Sequence, residues 1–402
     1  MIKHALLYTA VAPWMFAATL AATTPDAAVR ALRDFDLKYR QGLTENGVTG
    51  SSFLFMQDDN ILDRQFYGLA DRDRKIPVDE DTIYHWASIT KTFTGIAIMQ
   101  LRDRGLLKLD DPAIDYIPEL RDVHNPFGSM RTITIRQLMS HTAGFRASTW
   151  PWGSDKPWHP FEPRSWNRIA AMLSYTEIEF QPGSRFSYSN LGVVFLGRII
   201  ELLSGDPYEV YIDKNIFKPL KMHRSYFATS PYYLLPHRAH SYWTRDGQRK
   251  SAVFDADTGI TNANGGLNAP IADMAKYLGF LIGTSTPNAG YEVVLKRASL
   301  EEMWRPQLSL PDEHNGKNRK DAVGLSFFLE DNFGQHFVCH SGFQNGFSTH
   351  FYLNPIEHAA YVIAFNDSVS SSTGHTPDQS TARLDRELKE FLFERVFSSF
   401  NP

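Results

Sequence analysis

The hydrophobic period of this chain changes twice along its length. Near the start, PDAAVRALRDFDLKYR places Val29, Leu32 and Phe35 at helical spacing. SSFLFMQ and RQFYGLA then read as two strands joined by the polar turn DDNILD. Beyond Ser88 the pattern turns helical. KTFTGIAIMQLRDRG is apolar nearly all round until Arg102 and ends at Gly105, which predicts a buried helix. TITIRQLMSHTAG predicts a short helix starting behind Thr134. NLGVVFLGRIIELLSG predicts another apolar helix capped by Gly205, and GGLNAPIADMAKYLGFLIG is helical after Pro270. In the last third the period returns to two. VGLSFFLE, QHFVCHSG, FSTHFYLN and AAYVIAFND read as consecutive strands. The closing DQSTARLDRELKEFLFERVF puts Leu384, Leu388, Phe391 and Leu392 on one helical face.

A helix and two strands therefore open the chain, a helical middle follows, and strands with a helix close it. The simplest closure pairs the first and last strands in one antiparallel sheet, with the helical region inserted between them. The expected fold class is α+β, an antiparallel sheet flanked by helices with an inserted all-helical region. The sheet part is expected from about residues 23–87 and 265–402, the helical part from about 88–264, in one unit spanning 23–402. A cleft is expected where the two parts meet. Between two helices lies RASTWPWGSDKPWHPFEPRSWNR, with Trp150, Trp152, Trp158 and Trp166 within 17 positions. It reads either as a loop pinned to the surface by its aromatics or as the wall of an apolar pocket.

Composition adds limits. Hydrophobic residues are 43% and charged residues 21%, ordinary for a globular protein. The net charge of −4 comes from mixed acids and bases without a basic stripe, so no nucleic-acid partner is expected. Residues 1–22 carry Lys3, a long apolar run and small residues at Ala21 and Ala22, the form of a cleaved secretory signal. The run includes Pro13 and, at about 16 to 18 residues, is short for a membrane span. An exported, periplasmic or secreted protein without a stable span after cleavage is expected. Cys339 is the only cysteine, so no intramolecular disulfide can form.

Several catalytic signatures are missing: the chain has no GxSxG, no HExxH, no P-loop and no KTG. The 14 histidines lack ligand-like spacing, so neither a metal nor a cofactor is expected. What stands out is HWASITKTF. Ser88 is the only serine with lysine three places later, Lys91. On a helix these share a face. Burial would push the amine toward neutrality, able to accept the serine proton and activate Ser88. YSN at 188–190 stands directly before an apolar helix, and HSG at 340–342 ends the strand QHFVC. Decoys exist: Tyr352 begins YLN inside a strand, and His314 begins HNG in a charged loop. Tyr188 and His340 sit at the edges of ordered elements, where a functional side chain is held in place.

SITK, YSN and HSG, in that order, resemble the serine β-lactamase and penicillin-binding protein superfamily. The branch is that of class C β-lactamases, DD-peptidases of the carboxypeptidase B type and family VIII esterases. IRQLMSHTAGF, FQPGSRFSYSNLGVVFLGRIIE, GGLNAPIADMAKYL and HSGFQNGF agree with it, and the likeness spans roughly residues 28–398. It implies an exported serine hydrolase working through an acyl-enzyme on a small-molecule or peptide substrate: an amide, a β-lactam, a D-amino-acid peptide or, alternatively, an ester. A penicillin-binding or scaffold protein that works without hydrolysis is the reading from another class. The resemblance makes Ser88 the nucleophile, Lys91 its proton partner and Tyr188 a base toward Ser88, its phenolate favoured by a cationic Lys91. Asn190 would orient the substrate. The N–H groups of Ser88 and Phe343 would form the oxyanion hole. His340, Ser341 and Gly342 would line the substrate edge. HSG stands where class C enzymes carry KTG. It replaces a fixed positive charge with a side chain that is mostly neutral near pH 7, closer to the DD-peptidase branch.

Overall fold

A computed structural model describes residues 26–149, 165–284, 289–311, 320–370 and 380–400. In chain order the elements begin with α1 (Asp26–Glu45), β1 (Gly50–Gln57), β2 (Asn60–Asp71), β3 (Ile76–Pro77), β4 (Ile83–Ala87) and α2 (Thr90–Asp103). The middle contributes α3 (Ile135–Met139), α4 (Trp166–Ala170), α5 (Asn190–Ser204), α6 (Tyr208–Ile212), β5 (Tyr242–Arg245), β6 (Gln248–Ser251) and the single turn α7 (Asn262–Gly265). Then come β7 (Leu267–Pro270), α8 (Ile271–Ile282), α9 (Ala289–Val294) and α10 (Arg297–Met303). The last part holds β8 (Leu308–Ser309), β9 (Lys320–Val323), β10 (Phe328–Asn332), β11 (Gln335–Gln344), β12 (Phe347–Asn354), β13 (Ala359–Phe365), β14 (Asp367–Ser370) and α11 (Thr381–Phe391).

Among the described residues, the main sheet runs β3-β2-β1-β13-β12-β11-β10-β9-β8. Its neighbours are antiparallel, and the first and last parts of the chain close on each other where Ser51 faces Phe365 and Gln57 faces Ala359. The period of two sorts side chains to opposite faces. Phe53, Phe55, Tyr361, Ile363 and Phe365 go to one face, where Leu32, Phe35, Tyr39 and Leu43 of α1 and Leu384 and Leu388 of α11 cover them. Leu54, Met56, Val362, Ala364, Phe351 and Leu353 go to the other, under α8 and the helices of the middle region. This is the α+β architecture the pattern predicts.

Four details differ from the pattern. The buried stripe of α1 is Ala28, Ala31, Leu32, Phe35, Tyr39 and Leu43, so Val29 falls beside it and is 39% exposed. VGLSFFLE is two strands rather than one, broken where Ser326 takes φ +63° between β9 and β10. β2 starts at Asn60, inside the stretch expected as a turn. The expected helical stretch 88–264 also contains the β5–β6 hairpin, whose β5 pairs in parallel with β14.

Candidate active site

β4 carries the chain through the core to Ala87, which adopts φ +47° without being glycine. That left-handed residue turns the backbone sharply. Ser88 follows at the turn, half-buried, and α2 starts two residues later. The turn is pinned from both sides. Thr90 Oγ1 donates to the Ala87 carbonyl at 2.6 Å and accepts the Leu267 N–H at 3.0 Å. Thr90 thereby fixes β4, α2 and β7 together.

Lys91 is 1% exposed. Its Nζ donates to Ser88 Oγ at 3.0 Å and to the Asn264 carbonyl at 2.6 Å. Burial alone drives its pKa well below the usual lysine range, because a charged amine loses hydration that a neutral amine scarcely needs. Nζ lies 4.9 Å from the centre of the Tyr188 ring. The Tyr188 phenol is pushed upward by burial, partly offset by its hydrogen bond with Ser88. Both groups are thus driven toward their neutral forms. This runs against the expected phenolate beside a cationic Lys91. Desolvation acts on each group, and no charge on Lys91 enters the balance at Tyr188.

Tyr188 stands just before α5 because its neighbour Ser189 caps that helix. Ser189 Oγ accepts the Gly192 N–H at 3.0 Å and donates to the Arg146 carbonyl at 2.7 Å. Asn190 is the first residue of α5, and its N–H donates to the Ala147 carbonyl at 2.9 Å. The Tyr188 ring has His141 on one side, 4.5 Å away between centroids. It also stacks near-parallel with Phe328, at 6.5 Å.

HSG lies within β11 rather than at its end. The strand continues to Gln344 and turns at Asn345 and Gly346, with φ +50° and +81°; an Asn-Gly pair suits that hairpin geometry. Gly342 is a residue of close approach. A Cβ there would stand 2.1 Å from the Trp86 carbonyl oxygen, so only glycine lets β11 lie against β4. Ser341 is exposed, Gly342 is buried and Phe343 is 57% exposed. His340 is buried, and its ring Nδ1 donates to the Ser341 carbonyl at 2.8 Å. Nε2 is then the unprotonated nitrogen, and it has no partner among the described residues. Burial is the main cause that lowers the His340 pKa to about 3, with a protonated Lys91 nearby adding to it. The ring is neutral at pH 7 and offers a lone pair, where a lysine would offer a charge.

The structure therefore gathers Ser88, Lys91, Tyr188 and His340 around one point, with Asn190 at the head of α5 and Ser341, Gly342 and Phe343 on the facing strand. The YLN decoy is elsewhere: Tyr352 packs on the far face of the sheet, stacked on Tyr361. His314 lies outside the described residues, as do residues 1–22 and Trp150, Trp152 and Trp158. Trp166 is the one of the four tryptophans within the described residues, at the start of α4. Its Nε1 donates to Glu119 at 2.9 Å and its ring meets Phe195 edge-on.

The β-lactamase family model matches residues 35–384. The chain belongs to that family. Its sequence is similar to protein flp of Staphylococcus aureus strain COL, 26% identical over 83% of this chain and 63% of that protein. The match thus spans under two thirds of the relative's length. It is also 31% identical, over 51% of this chain and 53% of the relative, to esterase EstB of Burkholderia gladioli. The octameric penicillin-binding protein homologue from Pyrococcus abyssi shares the fold, with a TM-score of 0.73 and 24% identity over 90% of this chain and 78% of that one.

Within this family fold, three features of the site carry no sequence signature. The Asn264 carbonyl on Lys91 is main chain, which any residue could supply. His85 ties β4 to β7 and lies against β11. Its Nδ1 lies 3.0 Å from Asn268 Oδ1 and its Nε2 3.2 Å from Gln344 Oε1. Asn268 spends its NH2 on the Ala228 and Gly266 carbonyls, so its oxygen must accept from Nδ1–H. A neutral imidazole has only one N–H, so Nδ1–H is the donor, and Nε2 meets the Gln344 oxygen without a proton to give it. The third is His141, inside the HTAGF stretch, which the sequence offered without a role.

Proposed function

We propose that this protein is a serine hydrolase that works through an acyl-enzyme on Ser88. The observation that carries the reading is the buried Lys91 amine, 3.0 Å from Ser88 Oγ and shifted toward its neutral form by burial alone. As the substrate carbonyl is attacked, the Ser88 Oγ–H proton passes to Lys91 Nζ and Oγ bonds to the carbonyl carbon. The oxyanion is met by the N–H groups of Ser88 and Phe343. Tyr188, held neutral, passes a proton from Lys91 to the leaving nitrogen or oxygen as its bond to carbon breaks. Water then adds to the acyl-enzyme by the same relay, and Ser88 recovers its proton as the acid departs. Asn190, His340 and Ser341 contact the substrate around the reacting carbonyl, and Gly342 lets their strand close on Ser88.

The substrate is an amide, a β-lactam or a D-amino-acid peptide. One observation favours the second reading, a carboxylesterase. His340 is neutral down to about pH 3 and gives no fixed charge for a substrate carboxylate. The likeness to esterase EstB supports the same reading. The apolar run at residues 1–22 supports export. Rates on a chromogenic cephalosporin, a D-alanyl-D-alanine peptide and a short-chain nitrophenyl ester, for wild type and Ser88→Ala, test both. Ser88-dependent turnover of any one supports the hydrolase, and preference for the ester selects the carboxylesterase. Binding without turnover of any of them sinks both.

A further inference from the structure

The strongest unassigned feature of the site is the way one buried histidine holds the segment that carries Tyr188. His141 follows α3, is 3% exposed and adopts φ +56°, a conformation that side chains rarely take. It grips the chain on both sides of Tyr188. Its carbonyl accepts the Ser187 N–H at 2.9 Å, and its Nδ1 accepts the Ser189 N–H at 3.1 Å. Between these anchors its ring lies 4.5 Å from the Tyr188 ring, tilted by 30°. Phe186 packs edge-on against the same imidazole. The bed continues beyond it, since Thr142 and Ala147 accept the N–H groups of Gly183 and Asn190. Only the side-chain bond to Ser189 and the ring contact depend on residue 141 being histidine.

We propose that His141 is the positioning residue for Tyr188, fixing the phenol over Ser88 and Lys91 by holding residue 189 through Nδ1 and the ring by contact. It rests on the reading of Tyr188 given above. Nδ1 can accept only while it carries no proton, so the working tautomer is Nε2–H. Burial is the main force that disfavours the imidazolium that would break the grip, and a proton on Lys91 or His340 would disfavour it further. The left-handed backbone narrows the usable replacements. Asparagine tolerates it and places Oδ1 near the position of Nδ1.

The test is a double-mutant cycle with a nitrophenyl ester, read as kcat and KM, with thermal melting as the folding check. H141F keeps a ring and loses the acceptor; H141N keeps the acceptor and loses the ring. H141F is expected to lower kcat at least tenfold with KM within about twofold, because the substrate does not touch residue 141. H141N is expected to restore kcat to within about threefold of wild type. In a Y188F background, H141F should cost no more than a further twofold, because a residue acting through Tyr188 loses its target. Should H141F not fold, H141A replaces it in the cycle. Losses that multiply fully in the double variant overturn the proposal, as does H141N falling as far as H141F or a folded H141F with wild-type kcat. Wild-type turnover in Y188F alone would instead overturn the underlying role of Tyr188.

Discussion

Gly342→Ala is the most demanding perturbation the site offers, because it adds one methyl group and touches no catalytic side chain. The new Cβ would lie 2.1 Å from the Trp86 carbonyl oxygen, 2.7 Å from Thr349 Oγ1 and 3.1 Å from the Trp86 carbonyl carbon. Real contacts stop near 3.0 Å, so the first of these requires a shift of about 0.9 Å (3.0 − 2.1). Neither backbone can swing aside like a side-chain tip. Trp86 sits at the bulge between the His85–Asn268 and Ala87–Leu267 pairs of β4 and β7, and β11 is paired to β12. The shift therefore separates Phe343 from Ser88, the two proposed oxyanion donors. A misplacement of about 1 Å in such a site costs roughly 10²-fold in rate, or about 2.7 kcal/mol of transition-state stabilisation. Overpacking should lower stability by about 1–3 kcal/mol. The assay is kcat/KM on a nitrophenyl ester, with an active-site titration to count competent sites and a thermal melt to verify folding. A folded G342A variant with wild-type kcat/KM would refute the reasoning. Either the strands would not abut as described, or the Phe343 N–H would not serve the reaction.

Lys91→Met should lower the acylation rate by at least about 10³-fold while keeping or raising the melting temperature, since it removes a buried amine that burial destabilises when charged; near-normal acylation would end the proposed relay. Tyr352→Phe, on the far face of the sheet, should leave kcat/KM within about twofold; a larger loss would mean that the wrong tyrosine was assigned. Stability should fall on the acid side. The folded pKa values of His85 and His340 are lowered to about 4 and about 3, by burial first, while the unfolded chain takes up these protons near pH 6.5. The unfolding free energy should therefore be level with respect to these groups above about pH 7. It should decline as pH drops from about 6.5 toward 4, at up to about 1.4 kcal/mol per pH unit for each histidine. His340→Asn should reduce that slope, as denaturant titrations at stepped pH would read; an unchanged slope would show that His340 is not buried neutral.

Much of this arrangement is legible in the residues. The spacing of Ser88 and Lys91 places them together, although Ser88 stands on the turn before α2, because the Lys91 N–H closes that turn on the Ser88 carbonyl at 3.0 Å. The alternation in FSTHFYLN and AAYVIAFND sorts side chains between the two faces of the sheet, as observed for Phe351 against Tyr352. Gly205 closes α5 with φ +75°, as its position suggests. The serine of YSN has an ordinary reason to be there, since it caps α5. Other features depend on contacts that no local pattern encodes. The left-handed turns at Ala87 and Ser326 fall on residues without a propensity for them. Gly342 reads as part of a motif, yet its reason is the approach of Trp86 from 256 positions away in the chain. The downward shift of the Lys91 amine follows from burial, which spacing alone does not determine.

The central claim is covalent chemistry at Ser88. Intact-protein mass, followed over time after adding a penicillin or a slowly deacylating nitrophenyl ester, tests it most directly, with Ser88→Ala alongside. A single acyl adduct is expected on the wild-type chain and none on the variant. Its persistence with a penicillin points to a penicillin-binding type of activity, its clearance with drug hydrolysis to a β-lactamase, and an adduct from the ester alone to a carboxylesterase. An adduct that forms equally on Ser88→Ala, or ester hydrolysis that survives in that variant, would contradict the account.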